Sequence, residues 1–261
     1  MGSLWFQWSI AAAGFDATAS ILSFKNDELA IVGLLDLHES EVKSVSYSPS
    51  GALLATCSRD KVVYIWESGM DDDFECIAVL NGHKQDVKDV VWHPTSELLA
   101  SASYDDSIRL WKEDYDEWYC CAKLSGHTST VWSLSFDETG DRLASVSADR
   151  QLIVWRQSSK EGKPLGSDPQ WREVWKTDET EHKRPIYSVD WVGSRIATGS
   201  GDDCIRIFTE TSNDTFEITS CQPKAHRGDV NSVAWHPQKE GLLASAGDDG
   251  DIKIWKLEED V

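Results

Sequence analysis

The sequence predicts an all-β fold assembled from about six copies of one repeat, and three observations carry that reading. Asp16, Asp60, Asp105, Asp149, Asp202 and Asp249 follow one another at intervals of 44, 45, 44, 53 and 47 residues, each in a similar local context. A near-constant period of this length marks repeat architectures, whose units bury their apolar faces only by stacking on neighbours. Between these aspartates lie short runs that alternate with period two, such as SVSYS, LLATCS and VVYIW, separated by turn residues such as SPSG and DETGD. The third observation is the aromatic content, 13 Trp among 261 residues, with few long helical patterns to set against it.

The first copy is the weakest. IAAAGFDATASIL reads as two strands about Asp16, with Ala12 where later copies have Ser or Thr and Leu22 where they have an aromatic. Upstream, LWFQWS reads as a candidate inner strand, although no turn separates it from Ile10. The second copy runs from His38 through Thr56 and Asp60 to Trp66. The third holds His83, Ser101, Asp105 and Trp111, and the fourth His127, Ser145, Asp149 and Trp155. The fifth has His182, Thr198, Asp202 and Phe208; the sixth has His226, Ser245, Asp249 and Trp255. In each of these five the Asp stands 20 to 23 residues after the His, four after the Ser or Thr and six before the aromatic. The stretch 157–170, QSSKEGKPLGSDPQ, is expected to be a polar loop between units and accounts for the one interval of 53.

This pattern resembles the WD-repeat β-propeller family, whose units of ~40–45 residues build four-stranded blades. The resemblance covers roughly residues 10 to 257. It divides the chain into an irregular N-terminus, 1–9, and a propeller domain, 10–261. It implies that the His, Ser/Thr, Asp and Trp of each blade are a hydrogen-bonded structural set, because a buried imidazole and carboxylate must pair or cost several kcal/mol.

A Ser–His–Asp constellation also suggests a hydrolase, but a catalytic site occurs once, in one cleft, not five times at a fixed period. The two other histidines, His93 and His236, both stand in WHP at a strand end, so all seven occupy repeat positions. No phosphate-binding G-x-x-x-x-G-K-[ST] and no H-E-x-x-H is present. The acidic runs Asp71-Asp72-Asp73 and Glu113-Asp114-Tyr115-Asp116-Glu117 are expected in solvated loops between the inner strands of successive blades. The expectation is a non-enzymatic chain without cofactor or metal.

At a period of ~44 residues, a seven-bladed ring would need about 310. The chain therefore holds about six repeats: either an N-terminally shortened seven-bladed ring or a six-bladed ring with an irregular seam. In the family the repeat is offset from the blade, so the last blade takes its outer strand from elsewhere. Only Lys256 to Val261 follow Trp255.

With 25 Lys+Arg against 45 Asp+Glu, the formal net charge is −20, which disfavours nucleic-acid backbones and anionic membranes as main partners. No apolar run reaches the 18 residues of a membrane span. The apolar start MGSLWFQWSIAAAG has no basic residue before Lys25, unlike a secretory signal, and Phe6 breaks the myristoylation pattern. The six cysteines, Cys57, Cys76, Cys120, Cys121, Cys204 and Cys221, form no C-x-x-C pair and no zinc spacing. They read as reduced thiols of a cytosolic or nuclear protein.

Propellers of this family bind mostly at the rim of the central channel. Two sets of positions face it: the residue before each repeated Asp, and the residue five after each His. They gather Arg59, Tyr104, Lys43, Lys88, Trp132 and Tyr187 on one surface, a basic and aromatic cluster suited to an acidic peptide with an apolar anchor. Longer strings, HESEVKSVSYSPSGALLATCSRDKVVYIWE (38–67) and HKQDVKDVVWHPTSELLASASYDDSIRLW (83–111), are similar to the cytosolic iron–sulfur assembly WD-repeat family. That resemblance implies an adaptor that helps deliver clusters to cytosolic and nuclear apoproteins. The implied partners are a MIP18-type subunit, an MMS19-type scaffold and an iron-only-hydrogenase-like cluster carrier. It also marks Arg59 as the exposed arginine of the channel face. A different WD-repeat adaptor, such as a ubiquitin-ligase substrate receptor or a histone-binding module, would share the fold.

Overall fold

The computed structural model describes residues 9–25, 28–69, 73–115, 117–158, 168 and 170–257. The LWFQW stretch read as a candidate inner strand lies outside them, and Ser9 already belongs to the next strand. Among the described residues, 22 strands form six antiparallel sheets and no helix. Blade 1 has three strands, β1 (Ser9–Ala13), β2 (Ala19–Lys25) and β3 (Glu28–Leu35). Blade 2 comprises β4 (Val42–Tyr47), β5 (Leu53–Ser58), β6 (Val62–Ser68) and β7 (Phe74–Asn81). Blade 3 comprises β8 (Val87–Trp92), β9 (Leu98–Ser103), β10 (Ser107–Asp114) and β11 (Glu117–Ser125). In blade 4 the strands are β12 (Val131–Phe136), β13 (Arg142–Ser147), β14 (Leu152–Gln157) and β15 (Trp171–Lys176). Blade 5 has β16 (Ile186–Val192), β17 (Arg195–Ser200), β18 (Ile205–Ser212) and β19 (Thr215–Gln222). Blade 6 stops at three: β20 (Val230–Trp235), β21 (Leu242–Gly247) and β22 (Ile252–Lys256). The fold is a β-propeller of six blades with the first strand of each four-stranded sheet innermost.

Two loop expectations are corrected. The stretch 157–170 does not join blades; it falls between β14 and β15, the third and outer strands of blade 4. Glu113 to Glu117 likewise spans the β10–β11 hairpin inside blade 3, and of the other acidic run only Asp73 is described, at the foot of β7. The reason is the offset: the variable connection lies between the third and outer strands, so it extends a hairpin at the periphery rather than a path between inner strands.

The core repeats one contact at each blade junction. Each third-strand aromatic pairs in register with a second-strand aliphatic: Trp66 with Leu54, Trp111 with Leu99, Trp155 with Leu143, Phe208 with Ile196, Trp255 with Leu243. The residues one and three positions before that aromatic pack onto the following blade. Val63 and Ile65 meet Val87, Val90, Trp92, Leu99 and Trp111. Ile108 and Leu110 meet Val131, Leu134, Phe136, Leu143 and Trp155, and the pattern recurs at the next two junctions. Blade 1 supplies Ala19 and Ile21 against Val42, Leu54 and Trp66. Each such aliphatic is worth roughly 1.5–3 kcal/mol on full burial, so the blades hold one another more than they hold themselves.

The turn between second and third strands is built by its aspartate. An Oδ1 atom accepts the N–H two residues on, from Thr18, Val62, Ser107, Gln151 and Asp251. The residue directly after the Asp takes positive φ in every blade: Ala17, Lys61, Asp106, Arg150, Asp203 and Gly250. Only the last is glycine, so in blades 1 to 4 the aspartate's hydrogen bond stabilises a non-glycine left-handed residue; Asp203 in blade 5 lacks that bond, since Asp202 is engaged by Arg206 instead.

Candidate functional site

Each repeated set is a chain of hydrogen bonds whose polarity is fixed at both ends. Trp66 Nε1 donates to Thr56 Oγ1 (2.9 Å), the Thr56 hydroxyl lies 2.9 Å from His38 Nε2, and His38 Nδ1 lies 2.7 Å from Asp60 Oδ2. Indole can only donate and carboxylate only accept. Nδ1–H therefore donates to the carboxylate, and in the neutral imidazole Nε2 accepts the hydroxyl proton while the hydroxyl oxygen accepts the indole N–H. The same distances recur for Trp111–Ser101–His83–Asp105 (2.8, 2.7 and 3.0 Å). They recur for Trp155–Ser145–His127–Asp149 (2.8, 2.8 and 2.9 Å) and for Trp255–Ser245–His226–Asp249 (2.8, 2.7 and 2.8 Å). The aspartate also accepts the N–H of the residue after the His: Glu39, Lys84, Thr128 and Arg227. One carboxylate thus ties the segment leading into the inner strand to the turn between the second and third strands.

Burial lowers the pKa of His38 and of His83 against the pull of Asp60 and Asp105. Burial alone would raise Asp105 and Asp149, but bonds from the histidine and backbone N–H groups outweigh it and hold both below the usual carboxylate range. The set expected to be complete in every blade is incomplete in blade 5. His182 still reaches Thr198 Oγ1 (3.0 Å), but Phe208 replaces the indole, and Asp202 is bound by Arg206 at 3.0 and 2.8 Å. His182 Nδ1 is buried without a partner, and the ring stacks on Phe208, with centroids 5.8 Å apart. Burial first, then the Arg206 charge, press its pKa down to about 3. We expect imidazole 15N shifts to show His182 uncharged at about pH 4.5, two units below an ordinary histidine; a protonated ring at that pH would contradict this geometry. No hydroxyl of the five sets is open to solvent: Thr56, Ser101, Ser145 and Thr198 are 0 % exposed and Ser245 is 2 % exposed.

A second pattern joins neighbouring inner strands along the channel. Asp89 on β8 accepts Ser44 Oγ of β4 (2.9 Å) on one side and the Leu134 N–H of β12 (2.9 Å) on the other. Asp190 on β16 accepts the Trp235 N–H of β20 (2.6 Å), and Ser135 Oγ of β12 lies 3.4 Å away. Ser188 accepts the Val233 N–H, and Ser135 the Trp191 N–H. Burial raises the pKa of both carboxylates despite these bonds. The sequence reading did not single them out. Its signal was an Asp at an inward position of an inner strand, in VKDVVW and YSVDW, where the other blades carry Ser or a small apolar residue.

The channel mouth beside the Asp turns carries the six expected rim residues. Lys88 Nζ sits between two rings, 5.3 Å from the centre of Tyr104 and 5.1 Å from that of Trp132. Trp132 meets Tyr187 edge-on, with centroids 5.4 Å apart and planes at 84°. These four residues form one continuous wall across blades 3, 4 and 5. The Trp132 Nε1 donor is buried without a partner, and burial, with the Asp229 carboxylate beside it, raises the Tyr187 pKa. Lys43 and Arg59 stand apart in blade 2, Lys43 over the Phe15 ring (4.4 Å) and Arg59 on Glu41 (3.3 Å).

The expectation of a net basic surface needs correcting, because the mouth supplies its own carboxylates. Lys88 pairs with Asp86 at 3.1 Å, Arg59 with Glu41, and Arg184 with Asp229 at 3.4 Å. The sequence reading missed Glu41, Asp86 and Asp229 because they precede the inner strands rather than occupy the two counted positions. The site is an aromatic wall with paired charges; Arg59, its side chain 61 % exposed, is the cation most open to solvent among the six. Cys76 and Cys120 lie in β7 and β11, opposite Trp66 and Trp111. No group of three or more His, Cys, Asp or Glu among the described residues could hold a metal ion.

Comparison with known proteins agrees with this geometry. The model of the WD domain, G-beta repeat, matches residues 30–67, 74–112, 118–156, 175–209 and 217–256. Each matched segment ends at the third strand of a blade and includes the preceding blade's outer strand, the offset seen in the sheets. The chain is 50 % identical over 100 residues (36 % of it) to the human "Probable cytosolic iron-sulfur protein assembly protein CIAO1". It is 50 % identical over 83 residues (29 %) to the CIAO1 homolog of Nematostella vectensis, and 50 % over 99 residues (35 %) to ciao1 of Xenopus tropicalis. These matches span between a quarter and 29 % of the relatives' own lengths.

Proposed function

The chain belongs to the WD-domain, G-beta-repeat family, and on that premise we propose that it is a non-enzymatic adaptor in cytosolic iron–sulfur protein assembly. In this reading it holds protein partners while preassembled clusters pass to apoproteins of the cytoplasm and nucleus. The reading rests on the similarity to the iron–sulfur assembly relatives, and one observation on this chain carries its mechanism: the unbroken Tyr104–Lys88–Trp132–Tyr187 wall at the channel mouth. Aromatic rings of this kind are anchors of protein interfaces, because they bury large area at small entropic cost. The exposed Arg59, on the neighbouring blade, then orients the bound segment through an acidic residue.

The metal clusters in this reading are cargo. Five of the seven histidines belong to the structural sets, and the cysteines fall two each in blades 2, 3 and 5, with no metal-holding group formed among the described residues. The partners are a MIP18-type subunit, an MMS19-type scaffold and an iron-only-hydrogenase-like carrier, with residues 10–261 as the binding domain.

Native mass spectrometry of the chain mixed with purified MIP18-type and MMS19-type subunits tests this reading. A stoichiometric complex is expected; a folded monomer that ignores both subunits would assign the chain to another WD-repeat adaptor. Arg59→Glu is expected to weaken the complex by about tenfold or more. The same change should leave the melting temperature within about 2 °C, because an exposed pair such as Arg59–Glu41 contributes roughly 0–1 kcal/mol. Unchanged affinity in that variant would remove this surface from the reading.

A further inference from the structure

The end of the channel remote from the Asp turns holds a cavity of about 360 Å³. Each inner strand starts beside an Asp turn, Val42 pairing with Ser58, and runs to an aromatic at the far end, Tyr47 pairing with Leu54. Four equivalent inner-strand positions, one each from blades 2 to 5, line the cavity: Ser46, Val91, Ser135 and Asp190. The aromatic that follows each of them, Tyr47, Trp92, Phe136 and Trp191, forms a collar around it. Trp92, Phe136 and Trp191 are at most 8 % exposed, so the collar is held in place by its own packing and the cavity is preformed.

Three of the four lining positions are small or apolar, and the fourth is a carboxylate. Other buried carboxylates of this chain face an imidazole or a guanidinium: Asp60 has His38, Asp202 has Arg206 and Asp137 has Arg142. Asp190 has neutral donors alone, the Trp235 N–H at 2.6 Å, the Trp191 N–H at 3.0 Å and the Ser135 hydroxyl at 3.4 Å. A carboxylate accepts about four bonds, so one position is left on a group that lines the cavity. Burial raises the Asp190 pKa against these three bonds. Asp89 also meets neutral donors, but the strands on both sides of it take up its oxygens and it does not line the cavity.

The chemistry of the wall selects the occupant. An anion would be repelled by Asp190, and an apolar group would strip water from the carboxylate without replacing its bonds. A lone carboxylate is a poor metal site, and no group of three or more His, Cys, Asp or Glu among the described residues could hold an ion. A lysine or arginine side chain satisfies both parts of the wall. Its methylene stem packs on the collar and on Val91, and its head donates a charge-assisted bond to Asp190. The net charge of −20 draws basic segments toward the chain.

We propose that this end of the channel is a docking site for a basic segment of a protein partner, which inserts one lysine or arginine side chain through the aromatic collar onto Asp190. The site lies at the opposite end of the channel from the Tyr104–Trp132–Tyr187 wall, so the two ends can hold different partners.

The probe is the peptide acetyl-Ala-Ala-Lys-Ala-Ala-amide, with arginine, norleucine and glutamate versions at the central position. Each is titrated into the full chain and followed by the indole 1H–15N signals. The lysine and arginine peptides are expected to move the signals of Trp92 and Trp191 and to leave that of Trp132 in place. The norleucine peptide, which keeps the stem and loses the charge, should bind about tenfold more weakly or less, and the glutamate peptide should not bind. Asp190→Asn is expected to erase the preference for lysine over norleucine. Because that change also alters the bonds to the Trp191 and Trp235 N–H groups, Ser46→Lys is the second variant. It puts a cation of the chain's own into the cavity and should weaken the lysine peptide about tenfold or more. Equal affinity for lysine and norleucine, shifts at Trp132 in place of Trp92 and Trp191, or unchanged binding in Ser46→Lys would each overturn the proposal. So would n-butylammonium binding as tightly as the lysine peptide, which would assign the cavity to a small amine.

Discussion

Replacing Arg142 by methionine is expected to destabilise the chain by about 3–5 kcal/mol, the cost of removing one partner from a buried ion pair. Arg142 opens β13, with its side chain 14 % exposed. Its Nε donates to Asp137 Oδ2 at 2.9 Å and its Nη1 to Glu210 Oε1 at 2.7 Å, with Asp214 a further 3.6 Å away. The guanidinium lies 4.7 Å from the centre of the Trp191 ring. Burial alone would lower the Arg142 pKa, but the Glu210 and Asp137 carboxylates raise it and hold the group charged. Asp137 belongs to blade 4, whereas Glu210 and Trp191 belong to blade 5, so one cation fastens two blades. Methionine fills much of the volume but leaves Asp137 and Glu210 facing each other without a cation. Adding Glu210→Gln to Arg142→Met should therefore recover part of the loss. Equilibrium urea unfolding reads both variants; a loss under about 1 kcal/mol for the single change would mean the cluster behaves as an exposed network.

The repeat was legible because its signals are local in sequence. Asp60 to Trp66 and its equivalents span one turn and one strand, so the period, the strand pairing and the hydroxyl four residues before the Asp could all be counted. What could not be counted depends on register between blades. Asp89 and Asp190 look like polar interruptions of inner strands until the neighbouring strand places an N–H opposite each. Asp86 and Glu41 became part of the channel mouth only through the fold of the segments leading into β8 and β4. The incomplete set of blade 5 lay between these cases. Phe208 announced the missing indole, but the loss of Asp202 followed from Arg206, four residues on, whose guanidinium reaches back to the turn. The loops were misplaced for a related reason: a long insertion reads the same whether it separates two blades or two strands of one blade.

The same substitution at equivalent threonines in two blades separates these networks by measurement. Thr56→Val is expected to cost about 3 kcal/mol and Thr198→Val about 1 kcal/mol, from two buried partners left unsatisfied versus one. Both threonines are fully buried, and valine keeps the shape and the strand preference, so packing terms cancel. At Thr56 the hydroxyl satisfies both Trp66 Nε1 and His38 Nε2. Losing it strands a donor and an acceptor, and the imidazole, still held at Nδ1 by Asp60, cannot turn to find another partner. At Thr198 only His182 Nε2 depends on the hydroxyl, and the ring opposite, Phe208, needs nothing. His182 has already lost its Nδ1 partner, so removing the second bond leaves a neutral ring in an apolar seat against Phe208. Equal costs for the two variants, read from the same unfolding curves, would mean that the indole bond contributes nothing to the set. A larger cost at Thr198 would mean that the single remaining bond is what keeps His182 inside blade 5.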